Sequence, residues 1–154
     1  MSASGTFNIR VYGLLRNDRD EILVTDEYRS KLGMTKFPGG GLQFGEGTRE
    51  ALIREFMEEM SREITVVEHY YTTDFFQVSA FRPDDQVISI YYWVEMSDAH
   101  SIPAVAEVPD FSSLSADHQV FRWVSRSKLS ETDFTFPIDR MIASRLEEGW
   151  NLPR

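Results

Sequence analysis

The chain has 154 residues, with 25 acidic against 16 basic side chains and a formal net charge of −9. That length fits one domain spanning 1–154, and the acidity excludes the basic surface that nucleic acid or an anionic membrane would require. Hydrophobic residues at 42% and aromatic residues at 13% supply a core, while the absence of cysteine removes disulfides, thiolate zinc sites and a cysteine nucleophile. The N-terminus has no apolar signal core and no apolar run has bilayer length, so a cytoplasmic protein with no membrane partner is expected. An anionic ligand would then need a local exception, such as bound metal.

Residues 7–15 carry Phe7, Ile9, Val11 and Leu14 in loose alternation and predict a strand. The polar run 16–20 predicts a turn, and 21–25 a second strand, the two forming a hairpin. Residues 29–36 read as a polar, basic loop. Three glycines after Pro38 argue against a regular helix or strand interior at 39–41. Residues 48–61 have helical periodicity, and 62–78 are rich in β-branched and aromatic residues, predicting a long strand. A turn at 83–85 precedes a strong strand at 87–96, whose two faces are both apolar enough to be covered. Residues 97–116 lack periodicity, and a loop of that length suggests a lid. A short strand follows at 120–124. Residues 137–149 predict an amphipathic helix opened by Pro137 and closed by Gly149. Its stripe of Ile138, Met141, Ile142 and Leu146 suits either the core or a homodimer interface.

The segment 39–62, GGGLQFGEGTREALIREFMEEMSR, holds the chemistry. On a helix, Glu55, Glu58 and Glu59 stand at i, i+3 and i+4 and share one face. Ile53, Phe56, Met57 and Met60 are expected on the opposite, buried face. Like charges at this spacing cost a helix roughly a few tenths of a kcal/mol per pair, so a cation should lie over them. All-oxygen donors favour Mg²⁺, Mn²⁺ or Ca²⁺ over zinc or copper. Glu46 and Arg54 have the charges and placement to lock the glycine loop onto the helix through a bidentate pair. The loop is neither a Walker loop, since no Gly-Lys-Ser/Thr follows, nor a dinucleotide-binding glycine fingerprint.

These residues resemble the Nudix box, G-x5-E-x7-R-E-U-x-E-E-x-G-U with U apolar. Gly40, Glu46, Arg54, Glu55, Glu58 and Glu59 match it in register. Phe56 fills the first U position, where aliphatic residues are more usual, while Ser61 and Arg62 replace the last glycine and the last U. Ser61 would have to adopt the left-handed helix-capping conformation, and Ile64 is expected to supply the apolar contact that Arg62 does not. The resemblance implies a Nudix-type α/β/α sandwich with a mixed β-sheet, a central catalytic helix and a C-terminal helix. It implies hydrolysis of a pyrophosphate bond in a nucleoside diphosphate linked to another group: a nucleoside triphosphate, a nucleotide-sugar or ADP-ribose. The alternative is a non-catalytic Nudix-fold module that binds or senses nucleotides. Under the first reading Glu55, Glu58 and Glu59 are catalytic and hold Mg²⁺ or Mn²⁺, with the Gly40 carbonyl as a further ligand. Glu46 and Arg54 support the site. Glu55 is one candidate general base, and Asp117 or His118 before the 120–124 strand is the alternative. Arg29 and Lys36 are candidates for contacts to substrate phosphates. The expected partner is a small-molecule nucleotide.

Overall fold

The computed structural model describes residues 4–115 and 118–149. In chain order the strands and α-helices are β1 (Thr6–Leu15), β2 (Glu21–Arg29), β3 (Leu32–Lys36), β4 (Gly39–Gly41), α1 (Thr48–Met60), β5 (Thr65–Thr72), β6 (Asp85–Glu95), β7 (Ala104–Val105), β8 (Gln119–Ser125) and α2 (Pro137–Glu148). The class is mixed α/β, as expected, and the strands form two four-stranded sheets, in the orders β4-β1-β6-β5 and β3-β2-β8-β7, the second mixed because β8 runs antiparallel to β2 and parallel to β7. The chain falls into two compact units. One contains the residues up to Gly13 and Gly39–Met96, the other Leu14–Pro38 and the residues from Ser97 onward.

The expected β1–β2 hairpin does not form. The chain turns through an Arg16–Ile22 bridge and a bond from the Asn17 N–H to the Glu21 carbonyl, and the two strands then lie in different sheets. β1 has β4 on one edge and β6 on the other, so no edge remains for β2. β2 instead pairs with β3, so the supposed basic loop at 29–36 is largely a hairpin turning at Ser30 and Lys31, both at positive φ (51° and 65°). Two successive left-handed residues match the right-handed twist of the flanking strands.

The glycine run is also a strand, contrary to expectation. β4 lies at the sheet edge, antiparallel to β1, with Gly39 opposite Tyr12 and Gly41 opposite Arg10. At Gly39, φ is +150°, and a Cβ would fall 2.0 Å from the Val11 carbonyl oxygen, so only glycine lets the two backbones approach this closely.

On α1 the buried residues are Ala51, Leu52, Phe56 and Met60, whereas Ile53 and Met57 are 41% and 42% exposed, which corrects the predicted apolar face. The large ring in the stripe fits because Gly13 on β1 carries no side chain. A Cβ there would stand 2.7 Å from the Phe56 ring, so the bulky Phe56 of the box is matched by a bare backbone opposite. Ser61 caps the helix in the left-handed conformation (φ 55°, ψ 41°) and donates its N–H to the Met57 carbonyl. Arg62 Nη1 donates to the Met60 carbonyl at 3.0 Å, placing a cation at the negative end of the helix dipole. Ile64, expected to replace the apolar contact that Arg62 lacks, is buried.

The long strand predicted at 62–78 ends at Thr72, after two register shifts against β6. Beyond it Phe75, Phe76 and Val78 are exposed, and the chain returns to β6 only briefly, through the Val78–Gln86 bridge and the bonds from Val87 N–H to the Gln77 carbonyl and from Ser79 N–H to the Asp85 carbonyl. β propensity does not keep a strand continuous where its pairing is interrupted.

In the second unit β2 pairs with β8 over Glu21–Glu27, and β7 runs parallel to β8. The proposed lid at 97–116 is therefore partly built into the sheet, and its turn at Phe111–Ser113 packs Phe111 against Gly33. Ile138, Ile142 and Leu146 of α2 are buried, so the apolar stripe of that helix serves the core. Among the described residues no helix is long and apolar enough to cross a membrane.

Candidate active site

The site residues of the first unit are arranged around one guanidinium. Arg54 grips Glu46 through a fork, Nε to Oε2 at 3.0 Å and Nη2 to Oε1 at 2.6 Å. Nη2 also donates to the Gly41 carbonyl at 2.9 Å. Nη1 reaches Glu55 Oε1 at 3.0 Å and Glu58 Oε2 at 3.2 Å. Thus one cation ties the end of β4, the following loop and the acidic face of α1 into a single assembly. The loop is pinned a second time where the Gln43 N–H donates to Glu46 Oε1 at 2.8 Å. Glu50, one turn into α1, accepts from the Gly47 N–H at 3.3 Å and helps start the helix. Glu46 and Arg54 therefore take the supporting geometry that their spacing suggests.

Hydrogen bonding from Arg54 holds the Glu46 carboxyl below its usual range, and Glu46 pushes Arg54 further up in return. A carboxylate depressed in the folded state stabilises that state above its ordinary pKa, and the contribution is lost as pH falls through the depressed value. Wild type should therefore melt above Glu46→Gln at neutral pH, and the gap should close only below the usual glutamate range, about pH 4.3. Thermal melts across acidic pH check this; a gap that does not change with pH would refute it.

Glu55 lies directly against the β4 backbone. A Cβ at Gly40 would stand 2.4–2.5 Å from all three atoms of its carboxylate, so any side chain there would displace the acid. Glu55 is mostly buried (its side chain is 14% exposed), Glu58 is largely exposed at 58%, and Glu59 is intermediate. Among the described residues no three acidic or histidine side chains converge as a ready-made metal cage. The donor chemistry nevertheless suits a hard divalent cation. All the groups are carboxylate or carbonyl oxygens, and a single guanidinium faces three carboxylates with a fourth at Glu59.

Of the remaining candidates, Arg29, Lys36 and His118 belong to the second unit. Arg29 lies exposed at the end of β2. Lys36 is buried on β3 with its Nζ 3.9 Å from Glu27, a pairing that the reading of a basic loop did not anticipate. His118 is exposed just before β8, its N–H bonded to the Ser115 carbonyl, and Asp117 lies outside the described residues. One contact at the helix start had no sequence signal: Thr48 Oγ1 and the Tyr92 hydroxyl lie 2.6 Å apart, tying α1 to β6. Only pairing of the strand with the helix brings residues 44 positions apart together.

A two-sheet α/β frame with a glycine edge strand leading into a carboxylate-bearing helix defines a class, and comparison with known proteins identifies it. The family model for the NUDIX domain matches residues 6–144, and the chain belongs to the Nudix family. It is 27% identical over 84 residues to the 8-oxo-dGTP diphosphatase of Escherichia coli K12, a match covering 53% of this chain and 60% of that protein. A MutT protein from Methanosarcina mazei Go1 shares the fold with a TM-score of 0.67 and 24% identity, covering 96% of this chain and 97% of that one. A NUDIX hydrolase from Nitrosomonas europaea does so with a TM-score of 0.62 and 18% identity, covering 94% and 93%.

Proposed function

We propose that this chain hydrolyses a pyrophosphate bond in a nucleoside diphosphate linked to a further group, with Mg²⁺ or Mn²⁺ held by Glu55, Glu58, Glu59 and the Gly40 carbonyl. The observation that carries the reading is the Arg54 assembly, in which one fixed cation organises more negative charge than it neutralises. When bound, the metal neutralises non-bridging phosphate oxygens and lowers the pKa of a water for in-line attack. Arg54 and Glu46 fix the loop on the helix so that the carboxylates are already oriented. Glu55, set against β4 and held by Arg54 Nη1, is the preferred acceptor for the proton of the attacking water. The partly matching diphosphatase from E. coli supports a nucleotide substrate.

A panel of nucleoside triphosphates, nucleotide-sugars and ADP-ribose with Mg²⁺ or Mn²⁺ tests this, read as released phosphate or pyrophosphate and mononucleotide. Turnover of at least one compound, abolished by chelation, is the expected result. A folded protein that binds metal and nucleotide but cleaves nothing would support the sensor reading in its place.

A further inference from the structure

We infer that the second unit carries a binding site for a small aromatic monocarboxylate, in a cavity of about 370 Å³ between β3, β8 and the start of α2. The cavity is not on the face that presents Lys36. The β2–β3 register sets Asp26 opposite Thr35 and Thr25 opposite Lys36. Side chains alternate along a strand, so Asp26 and Thr35 share one face and Lys36 points from the other. Thr35 lines the cavity and Arg122, bonded to Asp26, lines it too.

The donors are prepared in advance. Arg122 is 7% exposed and is clamped by Asp26, which is fully buried, with Nε to Oδ2 at 2.9 Å and Nη2 to Oδ1 at 3.1 Å. Thr35 Oγ1 donates to Asp26 Oδ1 at 2.6 Å, holding the carboxylate from a third direction. The Nη1 group of Arg122 makes no hydrogen bond among the described residues. Arg140, in the first turn of α2, fixes its Nε on the Phe134 carbonyl at 2.8 Å, which leaves both terminal nitrogens available for a ligand. Thr135 Oγ1 accepts the Thr35 N–H at 2.9 Å, so its own proton is available to donate. Two guanidinium edges and a hydroxyl thus border one cavity whose aromatic walls are Phe111 and Phe134.

Charge and size narrow the ligand. Asp26 already neutralises Arg122, which leaves Arg140 as the lining cation with no carboxylate pair among the described residues; Asp133, held at the Ser130 N–H, also lines the cavity and opposes a second negative charge. A volume near 370 Å³ falls in the lower part of the range for ligand sites, roughly 300–1,000 Å³. Planar guanidinium donors match a carboxylate, and ring walls match an aromatic body.

The test is an NMR titration of the isotopically labelled full chain with benzoate, its neutral isostere benzyl alcohol, and dianionic phenyl phosphate. Benzoate should give saturable shifts at the amides of Gly33, Thr35, Phe111 and Thr135. Benzyl alcohol should give none, and phenyl phosphate should bind about tenfold more weakly or worse. Arg140→Gln, at an exposed position, should fold and weaken benzoate by about tenfold or more, with Arg140→Lys as a milder second variant. Absence of a saturable benzoate shift would overturn the inference. So would equal binding of the alcohol or the dianion, or benzoate affinity unchanged in both variants. None of these readouts depends on pyrophosphate hydrolysis.

Discussion

Replacing Glu55 by Gln should leave a folded protein whose pyrophosphate hydrolysis is slower by about two to four orders of magnitude. The amide keeps the volume beside Gly40 and can still accept from Arg54 Nη1, now 3.0 Å away. It loses the negative charge that would bind a divalent cation and the basicity that would take a proton. Glu59→Gln should show a comparable loss. Glu58 is the most exposed of the three and shares Arg54 Nη1 with Glu55, so Glu58→Gln should raise the Mg²⁺ concentration needed for half-maximal activity. Steady-state rates over a Mg²⁺ titration, with melting temperature as the folding control, decide the matter. Rates like wild type in both Glu55→Gln and Glu59→Gln would sink the mechanism.

Arg54→Lys should lower kcat by about ten- to a hundredfold with little change in KM, because the residue positions the acids without touching substrate. A lysine keeps the charge but is a single point donor. It cannot hold the Glu46 fork, the Gly41 carbonyl and two further carboxylates together. The melting temperature should fall as well. A variant with normal kcat and a raised KM would instead place Arg54 in substrate binding.

The box was legible in the sequence because its function depends on spacing along one helix and the loop before it, both local properties. Glu46 and Arg54 meet as their separation suggested, and Ser61 takes the left-handed cap. The errors lie where a distant partner decides the outcome. Gly39–Gly41 becomes a strand because β1 offers an edge that its side chains would otherwise block. Phe56 is core, while Ile53 and Met57 are not, because Gly13 clears space at one azimuth of the helix. Residues after Thr72 have strand composition but meet β6 only intermittently, at Thr73 and again at Gln77–Ser79. Lys36 reads as a solvent-facing base until β2 places Glu27 beside it. The i, i+3 and i+4 spacing sets a common face for Glu55, Glu58 and Glu59, while the rotamers depend on partners such as Arg54, which holds Glu55 and Glu58.

The bond from Arg54 to the Gly41 carbonyl has a consequence beyond the site. β4 is the outermost strand of its sheet and carries no side chains; Gly39 and Gly40 are buried, and Gly41 is half-buried. A bare strand edge is a template on which another chain can add. The guanidinium occupies one of the acceptors that an incoming strand would need. The box arginine thus also caps the acceptor at the half-buried end of this edge, and its loss should show in the solubility of the protein as well as in its rate.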